Sequence, residues 1–408
     1  MIRYELKKVF SRTGSRIALL VLLIVTAVTC YFAADITYVD ADGTSRKGPS
    51  AAAALKSEQK AWAGQLDEER IRKVIAENRR IRATPEYNSK DLTEKEIAYS
   101  QGQGIQVIRD LLNASYADGF RDYNYYRADS LTESDAPQFY KNRIRLLKEW
   151  LAEEAKDQYS DAEKEYLISQ YQKIKTPFFY DYITGWVQLF EYSPAIIMIT
   201  LLVLGYLSAE IFASEFAWKT DAIFFSSFHG RRKAVQAKIK AGFLMVTVIY
   251  FAVFLLYAAA ILLYLGTDGW NLAVQVSWTS WKCFYNILIW QKFLLIMAGG
   301  YTGCLFISFL SMFVSAKTKS AVLAVMIPFI LIFIPSFLGS INHPAVSKIL
   351  GLLPDQLLQI SSSINYFNVY SAGGIVTGAV PVLLILYSVL TAGLLPVLYQ
   401  VYRKKQIS

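Results

Sequence analysis

The sequence predicts an all-α integral membrane protein, with six transmembrane helices and a large helical extracytoplasmic insert between spans one and two. Three observations lead there. Of 408 residues, 54% are hydrophobic and the mean hydropathy is +0.29, whereas an ordinary soluble domain reaches about 45–50% apolar only when glycine is counted. Charge is concentrated in one block: positions 34–185 hold 23 of the 42 Lys and Arg and 26 of the 33 Asp and Glu. The other 256 positions carry 19 basic and 7 acidic residues, a surplus of +12, distributed around six long apolar runs.

A hydrocarbon core about 30 Å thick takes about 20 apolar residues in a helix. The runs that meet this are 17–34, 194–213, 241–265, 294–315, 320–338 and roughly 376–400. The fifth contains Pro328 and Pro335, which predict a kink whose freed carbonyls need a neighbouring helix or a serine. The first run, behind a basic leader, also fits a signal peptide, and Ala27-Val28-Thr29-Cys30 is a poor likeness of a lipoprotein cleavage site. Cleavage would leave five spans and strand the amino terminus outside, so a retained anchor is the expectation. Three regions follow: 1–34 as an interfacial helix plus span one, 35–185 as an extracytoplasmic domain, and 186–408 as spans two to six with a cytoplasmic loop at 214–240.

Loop charges set the orientation. Arg3, Lys7, Lys8, Arg12 and Arg16 precede span one, against the single acid Glu5. Lys219, Arg231, Arg232, Lys233, Lys238 and Lys240 lie between spans two and three, Lys317 and Lys319 between four and five, and Arg403, Lys404 and Lys405 at the end. Six spans put all of these on one side, which the positive-inside rule makes cytoplasmic. Both termini are then cytoplasmic in a bacterial cell membrane, and 34–185 is outside. Trp270, Trp278, Trp281 and Trp290 fall in the outer loop after span three, where an interfacial aromatic belt belongs. Within 2–12, Ile2, Leu6, Val9 and Phe10 recur at helical spacing with Lys7, Lys8 and Arg12 on the other side, a short basic amphipathic helix suited to the inner membrane surface.

The insert reads as helices over 51–175. Thr93 to Glu96 and Ser160 to Glu163 fit the Ser/Thr-x-x-Glu capping box, and 135–156 carries Phe139, Ile144, Leu147 and Leu151 at helical steps. The charged run 63–82 predicts a solvated helix face. Tyr and Phe cluster at 116–126 and 178–182, either as the core of a small helical domain or as a site for an apolar ligand or peptide. Asn113-Ala114-Ser115 matches a glycosylation acceptor, which carries no weight in a bacterium. Cysteine is absent from 34–185, so the block is expected to fold without disulfides.

Chemistry is sparse. Two histidines, His229 and His343, leave little for metal or nucleophile–base sites, and neither a GxxxxGK[ST] loop nor a His-Glu-x-x-His pair occurs. No enzyme activity and no cofactor are expected in this chain. The +9 net charge lies in short runs flanking apolar segments, where it orients helices and meets anionic lipid, so no nucleic-acid partner is expected. Glu210 is a membrane-embedded carboxylate near the inner end of span two, a functional candidate by default. With Glu215 and Lys219 within about a turn or two, snorkelling to the interface is the simpler account.

Between spans two and three, Glu215, a 216–228 segment with Trp218, Lys219, Phe224, Phe225 and Phe228, then Arg231-Arg232 and Lys238 form a short amphipathic stretch bounded by basic residues. Such a helix suits another protein's groove. This arrangement resembles the ABC-2 family of ABC-transporter permeases, as do the amphipathic leader, six spans, inner termini and Pro328 in span five. The resemblance covers the membrane portion, about two-thirds of the chain, and the large insert departs from the compact members. It implies a permease subunit that moves a hydrophobic or peptide-like substrate and pairs with a second permease. ATP and Mg would be bound by a separate ABC ATPase subunit. The 216–228 segment would be its coupling helix, with the amino-terminal helix packed beside it, and Arg231 and Arg232 would anchor the loop to membrane lipid phosphates or to the motor. The alternative is a non-transporting membrane sensor or assembly scaffold whose outer domain binds a ligand.

Overall fold

A computed structural model of the chain describes residues 1–227, 230–338 and 344–404. The fold is 72% helical. Its first helices are α1 (Ile2–Phe10) and α2 (Thr13–Ala33), followed by the hairpin β1 (Thr37–Val39) and β2 (Ser45–Lys47). The polar block continues as α3 (Pro49–Ala61), β3 (Gly64–Gln65), α4 (Glu68–Arg82), α5 (Leu92–Gly102), α6 (Gln106–Ser115), α7 (Phe139–Ala152), α8 (Asp161–Lys173) and β4 (Phe179–Tyr180). Beyond it come α9 (Thr184–Ala217), α10 (Asp221–Ser226), α11 (Val235–Leu265), α12 (Ile289–Thr318) and α13 (Ala321–Leu338). The chain closes with α14 (Pro344–Leu350), α15 (Asp355–Leu358), α16 (Ile360–Ser363), the hairpin β5 (Val369–Ala372) and β6 (Ile375–Gly378), and α17 (Ala379–Arg403).

Among the described residues, five helical segments are long and apolar enough to cross a membrane: Thr13–Ala33, Thr184–Ala217, Gly230–Leu265, Ile289–Thr318 and Ala379–Arg403. The expected fifth span lies in α13, where the apolar stretch Ala321–Pro335 is shorter than these among the described residues. It begins just after Lys319, whose φ of 61° ends α12 in a left-handed turn. α9 is the hub and packs against α2, α11, α12 and α13, while α17 packs on α12. The helices approach closely where side chains are small: a Cβ at Gly300 of α12 would lie 2.5 Å from Tyr250 Oη of α11 and 2.9 Å from Ile197 Cδ1 of α9. The outward faces stay apolar, with Ile17, Leu20, Leu23 and Ile24 of α2 exposed. Such a surface is stable only in a lipid-like medium.

The polar block folds on helix amphipathicity. In α4 the charged residues face out while Ile71, Val74, Ile75 and Ile81 are buried. Ser160 and Glu163 close the expected capping box of α8. The other one moves: Asp91, not Thr93, caps α5 and accepts from the Thr93 and Glu94 amides, because an Asp two residues earlier reaches the same free N–H groups. A 3-10 turn at Glu133–Gln138 absorbs Pro137, so α7 begins at Phe139. Asn113 is fully buried and accepts from the Ala128 amide, closing that position to glycan attachment in the folded chain. Among the described residues, three short antiparallel strand pairings interrupt the expected all-helical pattern: the hairpins β1–β2 and β5–β6 and the long-range pair β3–β4.

This block packs on two later loops rather than standing apart. Arg143 donates to the Trp281 carbonyl (3.0 Å) and the Cys283 carbonyl (2.9 Å). Lys56 and Lys60 hold Asp268 at 2.5 and 2.6 Å, and Lys348 holds Glu163 at 2.6 Å. Trp281 is therefore buried beneath Phe139 and Phe178, and does not join the expected aromatic belt. Trp270 and Trp278 remain exposed.

Candidate functional site

The strongest polar construction lies where α1 meets the ends of α9 and α11. Glu215 stands in the last turn of α9 and Lys238 in the first turns of α11. Lys238 Nζ lies 2.8 Å from Glu215 Oε1, 2.8 Å from Glu5 Oε2 and 2.8 Å from the Ile211 carbonyl. Lys8 Nζ lies 2.5 Å from Glu215 Oε1, and Ser214 Oγ donates to Glu215 Oε2 at 2.8 Å. Two cations and two carboxylates thus neutralise one another in a site where an isolated charge would cost several kcal/mol.

Glu210, one turn earlier in α9, pairs with Arg12. The carboxylate is partnered from α1's side of the fold. Arg12 also stacks 4.6 Å from the Trp218 ring. Lys8 of α1 and Arg12 just after it consequently do not form an outer polar face: Leu6, Val9 and Phe10 pack on the core, while Glu5, Lys8 and Arg12 turn toward opposite charges on α11 and α9.

α9 ends in a tight reversal. The Lys219 N–H donates to the Phe216 carbonyl (3.1 Å), the Thr220 N–H to the Glu215 carbonyl (2.9 Å), and Lys219 takes a φ of 57°. This is the Schellman arrangement, in which glycine normally occupies the left-handed position. The 216–228 segment is therefore not one helix: 216 and 217 finish α9, the reversal follows, and only Asp221–Ser226 forms α10. Phe224 faces inward, its ring 5.9 Å from Tyr402 and 5.4 Å from Lys238 Nζ. Among the described side chains of this segment, the exposed large apolar residues are Ile223, 74% exposed, and Trp218, 48% exposed. Phe228 and the side chain of Phe225 lie outside the described residues, as do both histidines.

Arg231 and Arg232 sit together on the π-helical turn Gly230–Ala234 that opens α11. With Ser227, Gln400, Arg403 and Lys404 they line an open cleft of about 540 Å³. Arg231 also donates to the Arg403 carbonyl at 3.3 Å. Four basic side chains around one cleft suit phosphate or carboxylate groups. Among the described residues, no cluster of His, Cys, Asp and Glu is arranged to hold a metal ion.

Sequence reasoning singled out Glu215, Trp218, Phe224, Arg231, Arg232 and Glu210 but left out Glu5, Lys8, Arg12 and Ile223 as members of this site. One signal was available: Glu5 is the sole acid of a basic leader. Its partner is 233 residues away, and no local pattern specifies that distance.

A second concavity, about 370 Å³, lies in the polar block between α4, α5 and α6, with Tyr87, Tyr99, Tyr125 and Tyr126 on its walls. Arg109 lies beneath, 4.5 Å from the Tyr125 ring and paired with Asp129 at 3.0 Å. Of the aromatic run 116–126, Tyr116 and Phe120 are core, whereas Tyr125 and Tyr126 line this cavity.

No family model matches the chain, and no curated protein or solved structure matches it.

Proposed function

We propose that this chain is the permease subunit of an ABC-type transporter in a bacterial cell membrane, moving a hydrophobic or peptide-like substrate with ATP hydrolysed on a separate subunit. The observation that carries the reading is the shared carboxylate of Glu215, which Lys8 of α1 and Lys238 of α11 both grip beside α10. A load applied at α10 then reaches three helices together, because a buried ion cluster and a packed helix end move as one body rather than as a loop. Trp218 and Ile223 are the exposed apolar residues that would enter a groove on the motor, and the cleft at Arg231 and Arg232 would meet lipid phosphates or motor carboxylates.

The same proposal includes six spans with α13 as the fifth, cytoplasmic termini, the polar block outside, and a second permease subunit as partner. ATP and Mg belong to the motor. The likeness of the Glu215 to Lys238 stretch to ABC-2 permeases supports this assignment. The test is purification of the tagged full-length chain in mild detergent. An ABC-type ATPase recovered near one-to-one, and lost with Ile223→Asp, is the expected result; a preparation without any ATPase overturns it.

A second reading, a membrane sensor or scaffold with a ligand-binding outer domain, is favoured by the tyrosine-lined cavity over Arg109. It predicts saturable ligand binding that Tyr126→Ala weakens, in a protein that carries no ATPase.

A further inference from the structure

The end of the bundle away from α1 holds a buried cation with which no carboxylate among the described residues forms an ion pair. Lys292, in the first turn of α12, is 4% exposed. Its Nζ reaches Ser280 Oγ at 3.1 Å and lies 4.8 Å from the Phe190 ring. Among the described residues, no carboxylate forms an ion pair with it. Lys238, equally buried, has two carboxylates and a carbonyl. Two buried lysines in one fold thus differ in direct ion pairing: Lys238 touches two carboxylates, whereas Lys292 has only the exposed Glu191 across its cavity. An ammonium withdrawn from water costs several kcal/mol unless an anion compensates.

Lys292 lines a cavity of about 160 Å³. Ser362 and Asn365 also line it, and Asn365 Oδ1 is buried without a donor. Exposed Glu191 completes the wall. The cavity therefore offers a cation and hydroxyls for an anionic group, and an amide oxygen and a carboxylate for a donor beside it. It is walled by the first turns of α9 and α12, two helices long and apolar enough to cross a membrane, whose first turns would meet lipid headgroups in that arrangement.

We infer that this cavity binds a phospholipid headgroup, its phosphate on Lys292 and its hydroxyl or ammonium donor toward Asn365 and Glu191. This assignment is independent of the motor-driven reading, since a lipid bound here needs no ATPase.

The test uses the full-length protein in detergent, titrated calorimetrically with water-soluble dihexanoyl phosphatidylglycerol and phosphatidylethanolamine, with inorganic phosphate and dihexanoyl glycerol as controls. Saturable binding of a phospholipid, weakened about tenfold or more by Lys292→Met, is expected, since removing one partner of a buried charge pair is costly. Met keeps the length and apolar stem, so thermal unfolding of the unliganded protein checks that the variant folds. Asn365→Ala is a second, milder variant, expected to weaken binding by a smaller factor. Inorganic phosphate binding as tightly as the lipid, and equally lost in Lys292→Met, supports the anion site and overturns the lipid source. Dihexanoyl glycerol binding as well as the phospholipid, or a phospholipid affinity unchanged in Lys292→Met, overturns the proposal. So does the absence of saturable binding by all four probes.

Discussion

Lys238 Nζ and Glu215 Oε1 lie 2.8 Å apart with their side chains 0% and 2% exposed, joining the start of α11 to the end of α9. Breaking such a pair from one side leaves Lys8 on Glu215 or Glu5 on Lys238 but one charge of the buried four-group cluster in excess, which is destabilising. Glu215→Gln or Lys238→Met alone should therefore lower the detergent-solubilised unfolding temperature sharply. The double variant should recover much of the loss, because Lys8 and Glu5, already 3.8 Å apart, can pair with each other. Unfolding curves for the three proteins decide it; additive losses would mean the pair is not coupled.

The two neighbouring apolar residues of α10 should behave differently. Ile223→Asp changes a side chain that is 74% exposed and should leave unfolding within about 0.5 kcal/mol of the parent, while abolishing ATPase co-purification. Phe224→Asp places a carboxylate against Tyr402 and should destabilise the protein itself. Measuring yield, monodispersity and bound ATPase for both separates docking from packing.

Arg143 bridges the polar block to the loop before α12 through the Trp281 and Cys283 carbonyls. Removing it as Arg143→Ala takes the side-chain donor from the buried Trp281 carbonyl, at about 1–3 kcal/mol, while Gln275 still donates to the Cys283 carbonyl at 3.1 Å. Hydrogen exchange at 278–285 should accelerate while the membrane helices keep their protection. Unchanged exchange would show that the loop is held by Trp281 packing alone.

Asp268 gives the acid side of the stability profile. Burial raises the pKa of its carboxyl, but hydrogen bonds from Lys56 and Lys60 prevail and hold it down at about 2. A depressed carboxylate stabilises the fold fully above its unfolded pKa of about 3.9 and loses that contribution as pH falls toward 2. The parent should therefore lose stability over that window more steeply than Asp268→Asn, whose unfolding temperature starts lower but lacks this titration. Parallel curves from pH 5 to 2 would remove the lysine clamp from the account.

Orientation is open to a direct labelling experiment. Tyr126 and Arg232 are exposed, and the proposed topology puts them on opposite sides of the membrane. In intact cells, an impermeant thiol reagent should label Tyr126→Cys and spare Arg232→Cys, against a background in which Cys283 and Cys304 are buried. The reverse pattern inverts the topology.

Much of this architecture was legible in the chain. An apolar run such as 241–265 announces a helix of membrane length because apolarity and length are local properties, and the alternating charges of 63–82 announced the solvated face of α4. Ser160 and Glu163 marked the start of α8 for the same reason: a cap acts within one turn. What local pattern determined, then, was the helical class, the polar block, five of the six expected helices at a length and apolarity that can cross a membrane, and a basic, aromatic stretch after α9. Tertiary structure alone decided the rest. Lys8 meets Glu215 across 207 residues, and Arg143 meets Trp281 across 138. Phe224 turns inward while Ile223 turns outward, and Lys292 is buried on Ser280 beside an open cavity. A buried ion is tolerable only beside a particular partner, and which partner arrives depends on how distant helices pack, a geometry that no short window of sequence contains.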